Sequence, residues 1–369
     1  MPQKNQFIID LLAKADIKVG GSRPWDITIH NDKTFSRSLA EGSIGFGESY
    51  MDGWWDCENL DQMLTKLFNA KIDRQVKPWR VIVPAVKARM MNMQRRSKAF
   101  EVGEAHYDVG NTLYEKMLDK RMVYTCGYWK DAHNLDEAQE AKLDLICRKI
   151  GLKSGMRVLD IGCGWGSFAK FAAEKYGAEV VGVTVSKEQV ELGNKMCAGL
   201  PVEIRLQDYR EITGEFDRVV SLGMFEHVGV KNYRTYMDVA HRVLSDGGLF
   251  LLHTIGRNFS GGSTDPWIAK YIFPNSMLPS IAQIGTSIEN LFVMEDLHNF
   301  GPDYDKTLME WHKNFEAAWP EIKGDYSESF KRMWNFYILS SAATFRARNS
   351  QLWQVVLSKG DIKEYQSIR

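Results

Sequence analysis

Cysteine is sparse in this chain of 369 residues: Cys57, Cys126, Cys147, Cys163 and Cys197 make five, an odd number without paired metal-ligand spacing. That spacing excludes a zinc cluster built on paired cysteines, argues against structural disulfides and suits a reducing compartment. Net charge is lacking as well, with 47 basic and 47 acidic residues, so no global field recruits nucleic acid or an acidic partner. No apolar run is long enough to span a bilayer, and Met1-Pro2-Gln3-Lys4-Asn5-Gln6 lacks the charged and then apolar pattern of a secretory leader. A cytoplasmic protein is expected. Internal repeats and low-complexity tracts are missing too, which leaves a globular chain whose apolar share of 44% supports a substantial core.

What the chain does have is concentrated at Val158-Leu159-Asp160-Ile161-Gly162-Cys163-Gly164-Trp165-Gly166. An apolar strand runs straight into three glycines, which allow a tight turn and close backbone approach to a ligand, and Ser167 through Glu174 then reads as a helix. The spacing Gly162-x-Gly164-x-Gly166 differs from the Gly-x-Gly-x-x-Gly of dinucleotide binders. With Asp160 at the strand end, placed for the amino group of an amino-acid-bearing nucleoside, it resembles the first motif of S-adenosylmethionine-dependent methyltransferases.

Around this turn the pattern predicts an α/β fold. Leu135 to Ile150 is an amphipathic helix, and strands follow at Met156 to Ile161, Glu179 to Thr184, Val202 to Leu206, Phe216 to Ser221 and Leu249 to Thr254. Helices are expected at Lys187 to Met196, capped by Ser186, and at Tyr233 to Leu244. Late strands are read at Ile288 to Met294 and Leu352 to Leu357, with a helix at Tyr326 to Arg348 between them. Such alternation implies a mostly parallel, Rossmann-like sheet with ligands at the carboxyl ends of its strands.

The first 98 residues read as a separate, mostly helical unit, with residues 99–369 forming the catalytic domain. Phe7, Ile8, Leu11 and Leu12 share one helical face, Leu60, Met63, Leu64 and Leu67 another, and Trp25 to Ile29 alternates like a short strand. From Lys71 to Lys98, nine basic residues face one acid, Asp73, and are interleaved with Trp79, Val81, Ile82, Val83, Met90 and Met91. This segment either lies on an anionic membrane surface or is a solvated linker between domains.

Chemistry-bearing residues gather at the strand ends. Thr184 and Gln189 occupy the region where an acid would accept the ribose hydroxyls, and hydrogen-bond them without a full charge. Asp208 is placed to accept from the adenine amino group, and Tyr209 offers an aromatic face. Upstream, Tyr107, Tyr124 and Thr125 supply rings and a hydroxyl, the rings favouring a sulfonium electrostatically. Glu226 and His253 arrive at the same sheet end and read as catalytic, while Asp303-Tyr304-Asp305 follows downstream. No metal site is expected.

Taken together, these pieces resemble the cyclopropane-fatty-acyl-phospholipid synthase family. The resemblance runs through Glu104-Ala105-His106-Tyr107-Asp108-Val109-Gly110-Asn111, Tyr124-Thr125-Cys126-Gly127-Tyr128-Trp129, Asp160 to Gly166, Gly223-Met224-Phe225-Glu226-His227-Val228-Gly229, Leu252-His253-Thr254-Ile255-Gly256 and Phe345-Arg346-Ala347-Arg348, and reaches Gly47 to Trp55 near the start. It implies methyl transfer from S-adenosylmethionine to a cis double bond of an acyl chain, followed by proton loss as a cyclopropane closes. It further implies a bound bicarbonate as the base, held by His253, Tyr304 and the backbone N–H groups of Cys126 and Ile255 and oriented by Glu226, with Tyr304 also facing the transient cation. The partners implied are unsaturated phospholipids at the inner face of the membrane, met peripherally by a homodimer. Two other readings compete: a small-molecule amine N-methyltransferase on the same scaffold, and a lipid-binding module that has kept a nucleoside pocket without catalysis.

Overall fold

A computed structural model describes residues 2–72, 110–360, 362 and 364–369 of the chain. Tyr107, the boundary expected at 98/99 and the basic segment beyond residue 72 lie outside the described residues. The described chain forms two compact units, each assembled from separated stretches.

The first unit takes residues 2–72 together with Ser263–Pro274 and Tyr304–Ser350. Where the sequence reading drew one boundary, the structure thus returns two later stretches to the helical unit. The reason is visible in its packing. Leu60, Met63 and Leu64 are the buried face of the helix Leu60–Asn69, and that face packs against the late helix Glu328–Arg346. Arg346 locks the two, its guanidinium reaching Asp61 at 2.5 Å and Asp305 at 2.9 Å. Of the short strand expected at Trp25 to Ile29, only β1 (Thr28–Ile29) forms, paired antiparallel with β2 (Trp55–Asp56). Asp26 takes the preceding residues into a turn, because its buried carboxylate accepts from the backbone N–H groups of Lys18 and Arg23 and from the Arg23 guanidinium.

The second unit takes residues 110–262 with Asn275–Asp303 and Gln351–Arg369. Its seven strands are β3 (Arg157–Ile161), β4 (Glu179–Thr184), β5 (Val202–Leu206), β6 (Phe216–Leu222), β7 (Leu244–Arg257), β8 (Val293–Asn299) and β9 (Ser350–Ser358), in spatial order β5-β4-β3-β6-β7-β9-β8. Strands β3 to β7 pair in parallel, and β8 runs antiparallel to β9. The α/β class and mostly parallel sheet are therefore as expected. Each central strand is apolar on both faces because helices cover both. Leu159, Ile161, Val181, Val183, Val219, Phe250 and Leu252 enter one core with the helix Tyr233–Val243. Their neighbours Val158, Val180, Val220, Leu249 and Leu251 enter the other, with the helices Leu135–Lys149 and Ser167–Tyr176. Ser186 caps the helix Lys187–Met196 as read, accepting from the Gln189 N–H at 3.3 Å.

Two elements differ from the sequence reading. The strand placed at Ile288 to Met294 begins only at Val293, because Ser280 and Gln283 form a capping box that starts a helix, Ile281–Ile288, whose last residue is Ile288. The chain also carries a long helix, Pro302–Ile322, where the sequence reading assigned no element; its stripe Leu308, Trp311, Phe315 and Ile322 is buried.

The backbone of β7 passes close to β9 at Gly256, where an added Cβ would lie 1.9 Å from the ring of the buried Trp353. Gly256→Ala is expected to destabilise the protein by about 3 kcal/mol or more, since neither the strand nor the packed indole can give way cheaply. Chemical denaturation of the two proteins checks this.

Candidate active site

The sheet order reverses between β3 and β6, because β4 and β5 build outward on one side and β7 on the other. A crevice at the carboxyl ends of the strands opens at such a reversal. The glycine turn lies there. Gly162, Gly164 and Gly166 have φ of +80°, +56° and +80°, the left-handed region that side chains rarely adopt. The turn is pinned because the N–H groups of Gly162 and Cys163 both donate to the Val183 carbonyl, at 2.9 and 3.1 Å.

Asp160 is the penultimate residue of β3, just before this turn, 1% exposed, and its Oδ1 has no hydrogen-bond partner among the described residues. Burial pushes its carboxyl up to about 7, against the opposing pull of the Lys142 charge. An orphaned buried carboxylate oxygen beside a glycine turn fits the ammonium group of S-adenosylmethionine. Because Asp160 ionises only as pH rises through about 7, affinity for that cationic donor is expected to climb over the same range. Titration calorimetry from acid to neutral pH checks it, and a flat profile would remove Asp160 from donor binding.

The other residues expected at the nucleoside are placed at the strand ends, with more local bonding than the sequence suggested. The Thr184 hydroxyl donates to Gln189 Oε1 at 2.6 Å, so these two side chains hold one another. Asp208 accepts from the backbone N–H and guanidinium of Arg210, at 2.9 and 2.8 Å, and so caps the turn after β5. The Tyr209 ring is buried against Tyr236, with centroids 4.9 Å apart, and Arg210 lies over it. Upstream, Tyr124 is half-buried with its ring 5.1 Å from that of Tyr114.

Glu226 follows the end of β6, and His253 lies on its neighbour β7. His253 stands opposite Leu222 in the β6–β7 register, its carbonyl accepts from the Gly223 N–H at 2.9 Å, and Glu226 follows in the short turn Phe225–His227. Glu226 Oε1 accepts from the Ile255 N–H at 2.7 Å, while Oε2 is buried without a partner among the described residues. Desolvation raises the Glu226 carboxyl to about 7, opposed by the Ile255 N–H. His253 is 1% exposed; the Gln354 amide nitrogen lies 3.4 Å from Nδ1, and Nε2 has no partner among the described residues. Burial, reinforced by the charges of Lys142 and Lys149, pushes the imidazole well below its usual range and keeps it neutral. Cys126 is fully buried, with Sγ 3.1 Å from the Gly127 carbonyl.

The Ile255 N–H, expected at the anion, donates to Glu226 Oε1 at 2.7 Å. Tyr304 belongs to the helical unit, where its buried ring packs on Phe345 and Trp311 with centroids 4.7 and 5.9 Å away. Tyr107 lies outside the described residues.

Three buried polar residues near these groups escaped the sequence reading. Gln139 and Lys142, on the helix Leu135–Lys149, donate to the carbonyl and hydroxyl of Thr125, each at 2.8 Å, and Gln354 reaches His253 from β9. A signal existed. Lys142 and Lys149 fall seven residues apart, on the same helical face as Leu135, Ala138 and Leu145, where an amphipathic pattern has no place for a charge.

Residues 94–355 match the family described as mycolic acid cyclopropane synthetase. The chain is 53% identical over 363 residues to the cyclopropane-fatty-acyl-phospholipid synthase of Escherichia coli strain K12, covering 98% of this chain and 95% of that one. It is 38% identical to a probable fatty acid methyltransferase of Pseudomonas putida, over 69% of this chain and 68% of that one. Among solved structures, the cyclopropane synthase MmaA2 from Mycobacterium tuberculosis superposes with a TM-score of 0.67 at 30% identity, covering 70% of this chain and 98% of that one. A mycolic acid cyclopropane synthase complexed with SAH and CTAB gives 0.66 at 32% identity, with coverage of 70% and 98%.

Proposed function

From a chain that belongs to the mycolic acid cyclopropane synthetase family, and is an S-adenosylmethionine-dependent methyltransferase, we propose a cyclopropane-fatty-acyl-phospholipid synthase. Its substrate is an unsaturated acyl chain of a membrane phospholipid, met at the membrane surface. The helical unit presents that lipid, and the working form is a homodimer, peripheral to the cytoplasmic face. Among the described residues no helix is long and apolar enough to cross a membrane.

The observation that carries this reading is the pair of buried, incompletely bonded groups, Glu226 and His253, at the sheet end that carries the glycine turn. An alkene has no lone pair, so methylation needs alignment above all, and the cation that results must then lose a proton. S-adenosylmethionine supplies the methyl group, with Asp160, the glycine turn, Thr184, Gln189, Asp208, Tyr209, Tyr107, Tyr124 and Thr125 assigned to hold it. The chain's own task is to keep the acyl carbons dry and in line, and to set the proton acceptor. Glu226, neutral or charged near pH 7, can accept or donate a hydrogen bond through its unpartnered Oε2. Neutral His253 can donate or accept through Nε2. That donor and acceptor set fits a small oxyanion such as bicarbonate, which would supply the weak base, with Cys126 assigned beside it.

Release of S-adenosylhomocysteine is the direct test. It is expected with vesicles of unsaturated phospholipid and not with saturated vesicles or a free amine. Stripping bicarbonate from the buffer is expected to lower turnover, and restoring it to recover the rate. Equal turnover on an amine would overturn the lipid assignment, and indifference to bicarbonate would remove the ion.

A further inference from the structure

We infer that Gln354 is a positioning residue for His253: its side-chain amide donates to Nδ1 and so fixes the proton of the neutral imidazole on Nε2, where a small oxyanion needs a donor. The inference rests on the bicarbonate reading for the anion, though not for the place of the proton.

Gln354 stands in the middle of β9, 0% exposed, among the buried residues Leu352, Trp353, Val355 and Val356. A strand covered on both faces is ordinarily apolar throughout, and a methionine here would fill the space without the desolvation of an amide. A polar partner has to account for the glutamine. The residue opposite it in the β8–β9 register is His298, whose Nδ1 is engaged elsewhere, 3.1 Å from the Lys149 Nζ. The partner Gln354 has is His253, with the amide nitrogen 3.4 Å from Nδ1. One residue away, the Trp353 ring lies so close to Gly256 that no Cβ would fit between them, which holds β9 against the strand that carries His253.

The chemistry of the ring then decides the tautomer. A neutral imidazole carries one N–H and one lone pair, and an amide nitrogen can only donate, so Nδ1 presents the lone pair and Nε2 the proton. Burial keeps the ring neutral, which leaves this choice to be made. Nε2 is buried without a partner among the described residues, as is Glu226 Oε2. The oxygens of an anion would meet a lone pair on Nε2 in the opposite tautomer, and a donor in this one.

The first measurement needs no substitution. Histidine-selective nitrogen-15 labelling of the full chain in bicarbonate-free buffer reads both ring nitrogens, and His253→Asn identifies the signals among eight histidines by their loss. A protonated Nε2 and a bare Nδ1 are expected; a proton on Nδ1 would mean that the amide oxygen faces the ring, and overturns the inference. In Gln354→Met, which keeps the volume and removes the donor, the two signals are expected to draw together as the tautomers mix. Signals that stay in place would show that Gln354 does not set them. The same variant is then assayed for methyl transfer to unsaturated phospholipid vesicles over a range of bicarbonate. Its half-saturating bicarbonate concentration is expected to rise roughly threefold to tenfold, the effect of one hydrogen bond, with affinity for S-adenosylmethionine close to wild type. A merely structural glutamine would not single out the ion, so an unchanged half-saturation, or an equal loss of affinity for the methyl donor, contradicts the inference. A wild-type rate indifferent to bicarbonate, with the proton found on Nε2, discards the ion and leaves Gln354 as the residue that sets the tautomer.

Discussion

Glu226→Gln is expected to lower turnover by roughly 100- to 10,000-fold while affinity for S-adenosylmethionine stays close to wild type. Size and shape are conserved, and the amide oxygen can still accept from the Ile255 N–H, so the turn after β6 keeps its place. What is lost is the ability of a buried carboxyl held near pH 7 to exchange a proton or to orient the acceptor at its open oxygen. None of the bonds that fix the glycine turn involves Glu226, which is why donor binding survives. Single-turnover kinetics with a parallel binding titration separates the two quantities. Unchanged turnover at saturating donor would remove Glu226 from the chemistry.

Gly162→Ala is expected to do the reverse, weakening donor binding by about tenfold or more. Its φ of +80° costs a side chain roughly 1–2 kcal/mol, and the new methyl would lie 2.7 Å from the Met224 Cβ. One relief is to lift the turn away from Val183, breaking the two bonds that hold it. The other is to push Met224, which lies two residues before Glu226. Affinity at fixed pH reads the first effect, and the maximal rate at saturating donor reads the second. An alanine variant with wild-type affinity would show that the turn does not approach the donor closely.

These variants divide the site into a half that binds the methyl donor and a half that handles the proton, and the halves were unequally legible in the sequence. The donor half announced itself because its physics is local: a run of Val, Leu and Ile buried on both faces, then glycines with positive φ within five residues. The bounds of β4 and β5 were also legible to the residue. Glu226 and His253 were legible only as strand-end residues brought together by a parallel pairing. The engagement of Ile255 by Glu226 depends on the register of β6 on β7, which no local pattern encodes. Lys142 was hidden by its own residue type, because a lysine in a helix reads as solvated until tertiary packing buries it. Ile288 misled in the opposite sense, an apolar residue at the end of a capped helix that looks like the start of a strand. The return of residues 263–274 and 304–350 to the helical unit is a matter of long-range contact, with Arg346 meeting Asp61 across 285 positions of sequence.

The most direct measurement supplies S-adenosylmethionine with a fully deuterated methyl group to unsaturated phospholipid vesicles and weighs the acyl chains that result. A site that transfers the methyl and then removes a proton from it gives a ring carbon with two of the three deuteriums, and the double bond is gone. An acyl chain that keeps all three deuteriums would contradict proton removal from the transferred methyl at Glu226 and His253.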